Sequence, residues 1–159
     1  MKYVVLCRYI ILFCIIFIIS TGCNYFEVYK KTGYVNNLTA VIKNQQEKVD
    51  SYITLTSQNS AETPPEEELK KNFQEIKDAF TQNKKELEVI TPPKDYVDEH
   101  DNFIKAFQNC IDAVDASIAI LDIKDDKSKA EKIGETKNKI EEYKKLVKAG
   151  INSISVDLR

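Results

Sequence analysis

Leu87-Glu88-Val89-Ile90-Thr91-Pro92-Pro93-Lys94-Asp95-Tyr96-Val97-Asp98-Glu99-His100 reads as one helix ending and another beginning. Two consecutive prolines lack backbone donors, and each pushes the residue before it out of helical geometry. Before this break, Leu69, Phe73, Ile76, Phe80, Asn83, Leu87 and Ile90 alternate spacings of four and three. After it, Val97, His100, Ile104, Phe107, Ile111, Val114, Ile118 and Leu121 do the same. That rhythm puts each set on one face of a helix, as in coiled coils and helical bundles.

The same signals recur on either side. Thr63-Pro64-Pro65-Glu66 predicts a helix start, with Thr63 as N-cap, Pro64 in the first turn and Glu66 closing a capping box. At Thr91-Pro92-Pro93 the signal repeats, with Asp95 placed well for a helix N-terminus. Ser128-Lys129-Ala130-Glu131, after the polar link 124–127, predicts a further capping box. With the long segment after Cys23, these predict four helices over roughly 26–58, 66–90, 94–123 and 128–156. The first shows a face of Val35, Leu38, Ile42, Gln45, Val49, Tyr52 and Thr56. The last shows Ile133, Thr136, Ile140, Tyr143, Val147, Gly150 and Ile154. Short links make consecutive helices antiparallel. The expected fold is therefore all-α, an up-down-up-down four-helix bundle; a three-helix bundle with a frayed first helix is the alternative.

Ahead of the first helix lies a different kind of sequence. Lys2 and Arg8 precede an unbroken apolar stretch from Tyr9 to Ile19, followed by Ser20-Thr21-Gly22-Cys23. A basic start, a short apolar run and small residues before a cut describe a secretory signal peptide. A Cys directly behind the small residues resembles the lipobox of bacterial lipoproteins. That resemblance implies a diacylglycerol on the Cys23 thiol and cleavage before it, although Ser20 stands where Leu is commoner. An uncleaved spanning helix would need about 20 apolar residues, more than follow Arg8. The expected domain plan is residues 1–22 as a removed signal peptide, 23–33 as lipidated Cys and tether, and 34–159 as the bundle. The expected location is the extracytoplasmic face of the cell membrane, held by lipid on Cys23. Tyr25, Phe26 and Tyr29 then serve either as interfacial aromatics or as the first core residues of helix one.

Charge and cysteine content exclude several classes. Without residues 1–22 the chain keeps 21 basic against 25 acidic residues, so no nucleic-acid partner is expected. Cys7 and Cys14 fall within the signal peptide and Cys23 carries lipid, so Cys110 remains alone and no internal disulfide is possible. Its place on an apolar helix face predicts a buried, inert thiol. The far end of the bundle, with Glu62, Glu66, Glu67, Glu68, Asp125 and Asp126, reads as acidic capping or as a cation- or partner-binding tip.

His100, the single histidine, occupies a face position. Counting outward from Pro92 puts Asn83 at its level on the preceding helix, which predicts a buried His100–Asn83 pair. Gly150, counted about the last link, leaves room for the ring. The pair serves as a structural hydrogen bond, a ligand or metal contact, or a pH sensor. No Glu-x-x-His pair, haem-attachment motif, phosphate loop or nucleophile elbow is present, so no cofactor, metal or catalytic residue is expected and the chain does not read as an enzyme.

The lipobox-type start, then Pro92-Pro93-Lys94-Asp95-Tyr96 followed by His100, resembles small uncharacterised helical lipoproteins of Gram-positive bacteria. The resemblance implies location and fold and carries no activity. The expected function is a non-enzymatic interaction, accessory or spacer module with an envelope protein partner. The alternative is a small-ligand or metal binder with a site near His100 and Asn83.

Overall fold

The computed structural model describes the backbone of residues 2–57 and 64–157, and the side chains of 27–57 and 64–157. The helices are α1 (Lys2–Ser57), α2 (Glu66–Glu88), α3 (Val97–Leu121) and α4 (Asp126–Asp157), with a 3₁₀ turn at Lys94–Tyr96. No strand occurs among the described residues. The chain divides into two compact units, Met1–Asn36 and Asn37–Arg159. The signal-peptide reading and Cys23 fall where no side chain is described, and so do Tyr25 and Phe26.

In the first unit, the described stretch carries Val28 at 63% and Tyr29 at 72% exposure. Exposure at that level removes Tyr29 from the core reading. Thr32 Oγ1 donates back to the Val28 carbonyl at 2.9 Å, a common way for a helical threonine to satisfy its hydroxyl.

The second unit is the four-helix bundle. Its direction follows from side-chain contacts. Lys77 on α2 reaches Asp115 on α3 at 2.6 Å, and Phe103 on α3 meets Gly150 on α4. Tyr52 on α1 meets Ser117 on α3 at 2.7 Å and stacks at an angle on Phe73 and Phe80 of α2. Gln45, seven residues before Tyr52, pairs with Asn83 further along α2 and stands beside Cys110, seven residues before Ser117, so α1 runs antiparallel to α2 and parallel to α3, which is the up-down-up-down order. Gln45, Val49 and Tyr52 are fully or almost fully buried, so α1 belongs to the core and the three-helix alternative falls away.

α3 is the central helix. Beside His100, Phe107, Ile111 and Val114 it buries a second stripe of Phe103, Ala106, Asn109, Cys110, Ala113 and Ser117. The small members of that stripe face large residues of α1, as Ala113 and Ser117 face Tyr52. Alternating large against small fills the space between helices at native density. Phe103 lies in the core because Gly150 makes room for it: a Cβ on Gly150 would stand 2.5 Å from Phe103 Cζ. Its neighbour is therefore the Phe103 ring, where the sequence count put His100.

The helix starts differ from expectation by instructive amounts. α2 begins at Glu66 behind Pro65, which holds φ −51° and ψ 149° and makes no side-chain cap. The residue before a proline avoids the helical region, which holds Pro64 out of the helix; Pro65 is extended as well and takes the cap position expected of Thr63, which lies outside the described residues. Behind Pro93, with φ −58° and ψ 155°, the chain makes the 3₁₀ turn before α3 proper starts at Val97. α4 starts two residues earlier than expected, because Asp125 is the cap: its Oδ2 accepts the Ser128 N–H at 2.7 Å. The Ser128 hydroxyl and backbone N–H hold the Asp125 carboxyl below its ordinary range. The aspartate outcompetes Ser128 because its carboxylate both accepts the hydrogen bond and complements the helix dipole. Three expected face residues are on the surface: Thr56, Val97 and Ile133.

Candidate functional site

The helices bring together a buried polar group in the bundle interior, but not the one expected. Asn83 Nδ2 donates to Gln45 Oε1 at 3.0 Å, linking α2 to α1. The Lys77–Asp115 ion pair marks the register between α2 and α3, which brings Asn83 level with Asn109 and Cys110. His100 lies nine or ten residues further along α3, roughly 14 Å at the helical rise. The expected Asn83–His100 pair is therefore replaced by Asn83–Gln45, with Cys110 beside the Gln45 amide. The reason is the link: the segment after Glu88 carries the chain past the end of α2 before α3 begins, so equal counts from Pro92 are not equal heights.

Around Gln45 the electrostatics are those of an interior. Burial pushes the Cys110 thiol up to about 12, with the Gln45 amide drawing it back in part. A thiol at that value is protonated and unreactive at neutral pH, because the thiolate is the nucleophile. Burial also raises the phenols of Tyr52 and Tyr143; for Tyr52 the Ser117 hydroxyl opposes the rise, and for Tyr143 Cys110 and Asp50 add to it. Tyr143 packs on Phe107 with ring centroids 6.3 Å apart. Gln45 Nε2 has only the Cys110 sulfur beside it, and Asn109 Nδ2 is buried without a hydrogen-bond partner among the described residues. An unpaired donor of that kind costs about 1–3 kcal/mol against its hydrated state.

His100 is buried on α3 near the opposite end of that helix from Ser117. Loss of water lowers its pKa from 6.5, opposed by the nearby Asp101 carboxylate. No group of three or more His, Cys, Asp or Glu side chains able to hold a metal occurs among the described residues. Of the acidic tip, Glu66, Glu67 and Glu68 form the first turn of α2, and Asp125 and Asp126 open α4. They occupy capping positions; Glu62 lies outside the described residues.

An open groove of about 290 Å³ lies between α1 and α2, lined by Lys48, Ser51, Leu55, Asn72, Glu75 and Ile76. Its rim is charged and its floor is Leu55 and Ile76. No described helix is long and apolar enough to cross a membrane. Gln45 is the interior polar residue whose partner the sequence did not reveal. Its signal was present, a lone amide on an otherwise apolar face, but nothing in a sequence says which neighbouring helix will meet it. Comparison with protein-family models, curated proteins and solved structures found no match for this chain.

Proposed function

We propose that this chain is a membrane-tethered, extracytoplasmic lipoprotein that acts by contact, as a non-enzymatic accessory or spacer module for an envelope protein. The observation that carries the proposal is Ser20-Thr21-Gly22-Cys23 directly behind an apolar run, the arrangement of a lipid-acceptor cysteine. Two acyl chains on one cysteine give the stable attachment that a single chain does not. The bundle supports the contact role through its interior: Gln45 binds Asn83, Tyr52 binds Ser117, and Cys110 is held as a neutral thiol. Separation of His100 from Asn83 takes away the composite site on which a ligand-binding role would rest.

Crosslinking in intact cells, comparing wild type with Cys23→Ala, tests the proposal. A partner captured with the membrane-held wild type and lost with Cys23→Ala supports it. A Cys23→Ala variant that stays on the membrane as firmly as wild type overturns the lipid anchor.

A further inference from the structure

In the unit from residue 37 onward, the four helices are not held alike. α3 runs close against α2 and α4, backbone to backbone, while α1 stands off on its side chains. The Phe103 ring sits on Gly150, and the pairs Lys77–Asp115 and Lys139–Asp112 cross the α2–α3 and α3–α4 contacts. Residues 37–57 of α1 bury Leu38, Val41 and Val49 together with a row of polar groups. In that row Gln45 accepts from Asn83 at 3.0 Å, the Tyr52 hydroxyl pairs with Ser117 at 2.7 Å, and the Tyr143 hydroxyl donates to Gln46 at 3.5 Å. Gln45 Nε2 has only the Cys110 sulfur beside it, a weak acceptor. The open groove over Leu55 and Ile76 runs along the seam of α1 with α2.

We propose that residues 37–57 of α1 are a strap that leaves the other three helices as one piece while they keep their fold. Water replaces much of what the seam gives up. A hydrogen bond exchanged for one to water changes the free energy little, so a polar seam opens more readily than an apolar one of the same area. Opening also gives Gln45 Nε2 a full acceptor in place of a thiol. A helix whose backbone stands off has fewer close atomic contacts to lose, the mark of the less stable parts of a fold. The contacts of α3 with α2 and α4 do not pass through α1, so they remain when it leaves. The open form uncovers the face that carries Asn83, Cys110 and Ser117. The chain ahead of residue 37 joins the bundle covalently through this helix, so a pull on that end acts on the strap first. None of this depends on Cys23.

Native-state exchange tests this on the full chain in detergent, with Cys7→Ala, Cys14→Ala and Cys23→Ala leaving Cys110 as the only thiol. Cys110 is fully buried and lies against Gln45 of α1, so its labelling by a thiol reagent reports the departure of the strap. Labelling and amide hydrogen exchange are followed together at rising urea, below the unfolding transition. The strap predicts that Cys110 and the amides of residues 41–53 open with one urea dependence, shallower than that of global unfolding. They open about tenfold or more often than the amides of residues 103–117 and 140–150. Labelling of Cys110 with the urea dependence of global unfolding overturns the strap. So does exchange of the α1 amides while Cys110 stays protected, which is fraying of α1 and not its release. Labelling in step with the α2 amides, and not those of α1, places the moving helix elsewhere and overturns it as well.

Discussion

α3 takes part in two hairpins, and they obey different rules. Toward α4 the link is short, and counting across it predicts contacts to within a turn: Gly150 was expected at His100 and meets Phe103. Toward α2 the link runs through Pro92 and Pro93 and a 3₁₀ turn, and the same count errs by nine or ten residues, bringing Asn83 to Asn109 and Cys110. A short polar link leaves two helix ends level. In a proline pair the residue before each proline is pushed to extended ψ, and Pro93 is extended too, so the link carries the chain along the bundle and lets one helix slide against the other. Residue counting thus measures register only where the link has no length of its own along the axis.

The contrast breaks most sharply at the α3–α4 contact. Phe103→Ala is expected to cost about 3–5 kcal/mol in denaturant unfolding, the range for emptying a buried aromatic site. Gly150→Ala drives a methyl into that ring and costs about 1–3 kcal/mol from overpacking, less any helix-propensity gain. Adding Phe103→Leu to Gly150→Ala should recover part of the loss. If Gly150→Ala instead stabilises the protein, the close approach of these helices is misplaced.

Next comes the α2 register. Asn83→Leu leaves the Gln45 carbonyl without its donor and should cost about 1–3 kcal/mol. In double-mutant cycles Asn83 with Gln45 should couple by about 0.5–3 kcal/mol, as groups in contact do. Asn83 with His100 should couple by less than about 0.5 kcal/mol, the additivity of distant sites. Equal coupling in the two cycles would falsify the slid register.

His100 gives a smaller, pH-dependent effect. Its folded pKa lies below the 6.5 of the free side chain, so the unfolded chain binds the proton more tightly. Stability is therefore fully present above about 6.5 and falls as pH drops through that value toward the folded pKa. Urea midpoints measured between pH 7.5 and 5.5 should show this slope in wild type, and His100→Gln should flatten it. The partly exposed pairs Lys77–Asp115 and Lys139–Asp112, at 2.6 and 3.2 Å, should matter least. Removing either is expected to cost about 0.2–1 kcal/mol, decreasing with salt. A larger loss for Lys77→Met than for Lys139→Met would show that the slid hairpin depends more on its surface pair.

Much of the molecule is legible residue by residue. Leu38, Gln45, Val49 and Tyr52 on α1, Phe73, Phe80, Asn83 and Leu87 on α2, and Thr136 through Ile154 on α4 lie buried where periodicity placed them. α1 shows the limit of that reading, since Tyr34 and Val41 are buried one residue from the expected Val35 and Ile42. The α3 stripe of Ala106, Cys110, Ala113 and Ser117 was invisible for another reason. Small side chains carry little hydropathy signal, and a helix surrounded by neighbours buries more than one face. The caps erred because Asp125 and Ser128 are both good candidates, and only the path of the link decides which one ends it.

From the sequence alone came the four helices, their antiparallel order, the burial of Cys110 and the apolar start leading to Cys23. These depend on local spacing and on the identity of single residues. Tertiary structure alone decided the height of α2 against α3, the meeting of Asn83 with Gln45, and the seat of Phe103 on Gly150. Those depend on how far a link travels along the bundle and on which volumes interlock across helices, which spacing within one helix does not encode.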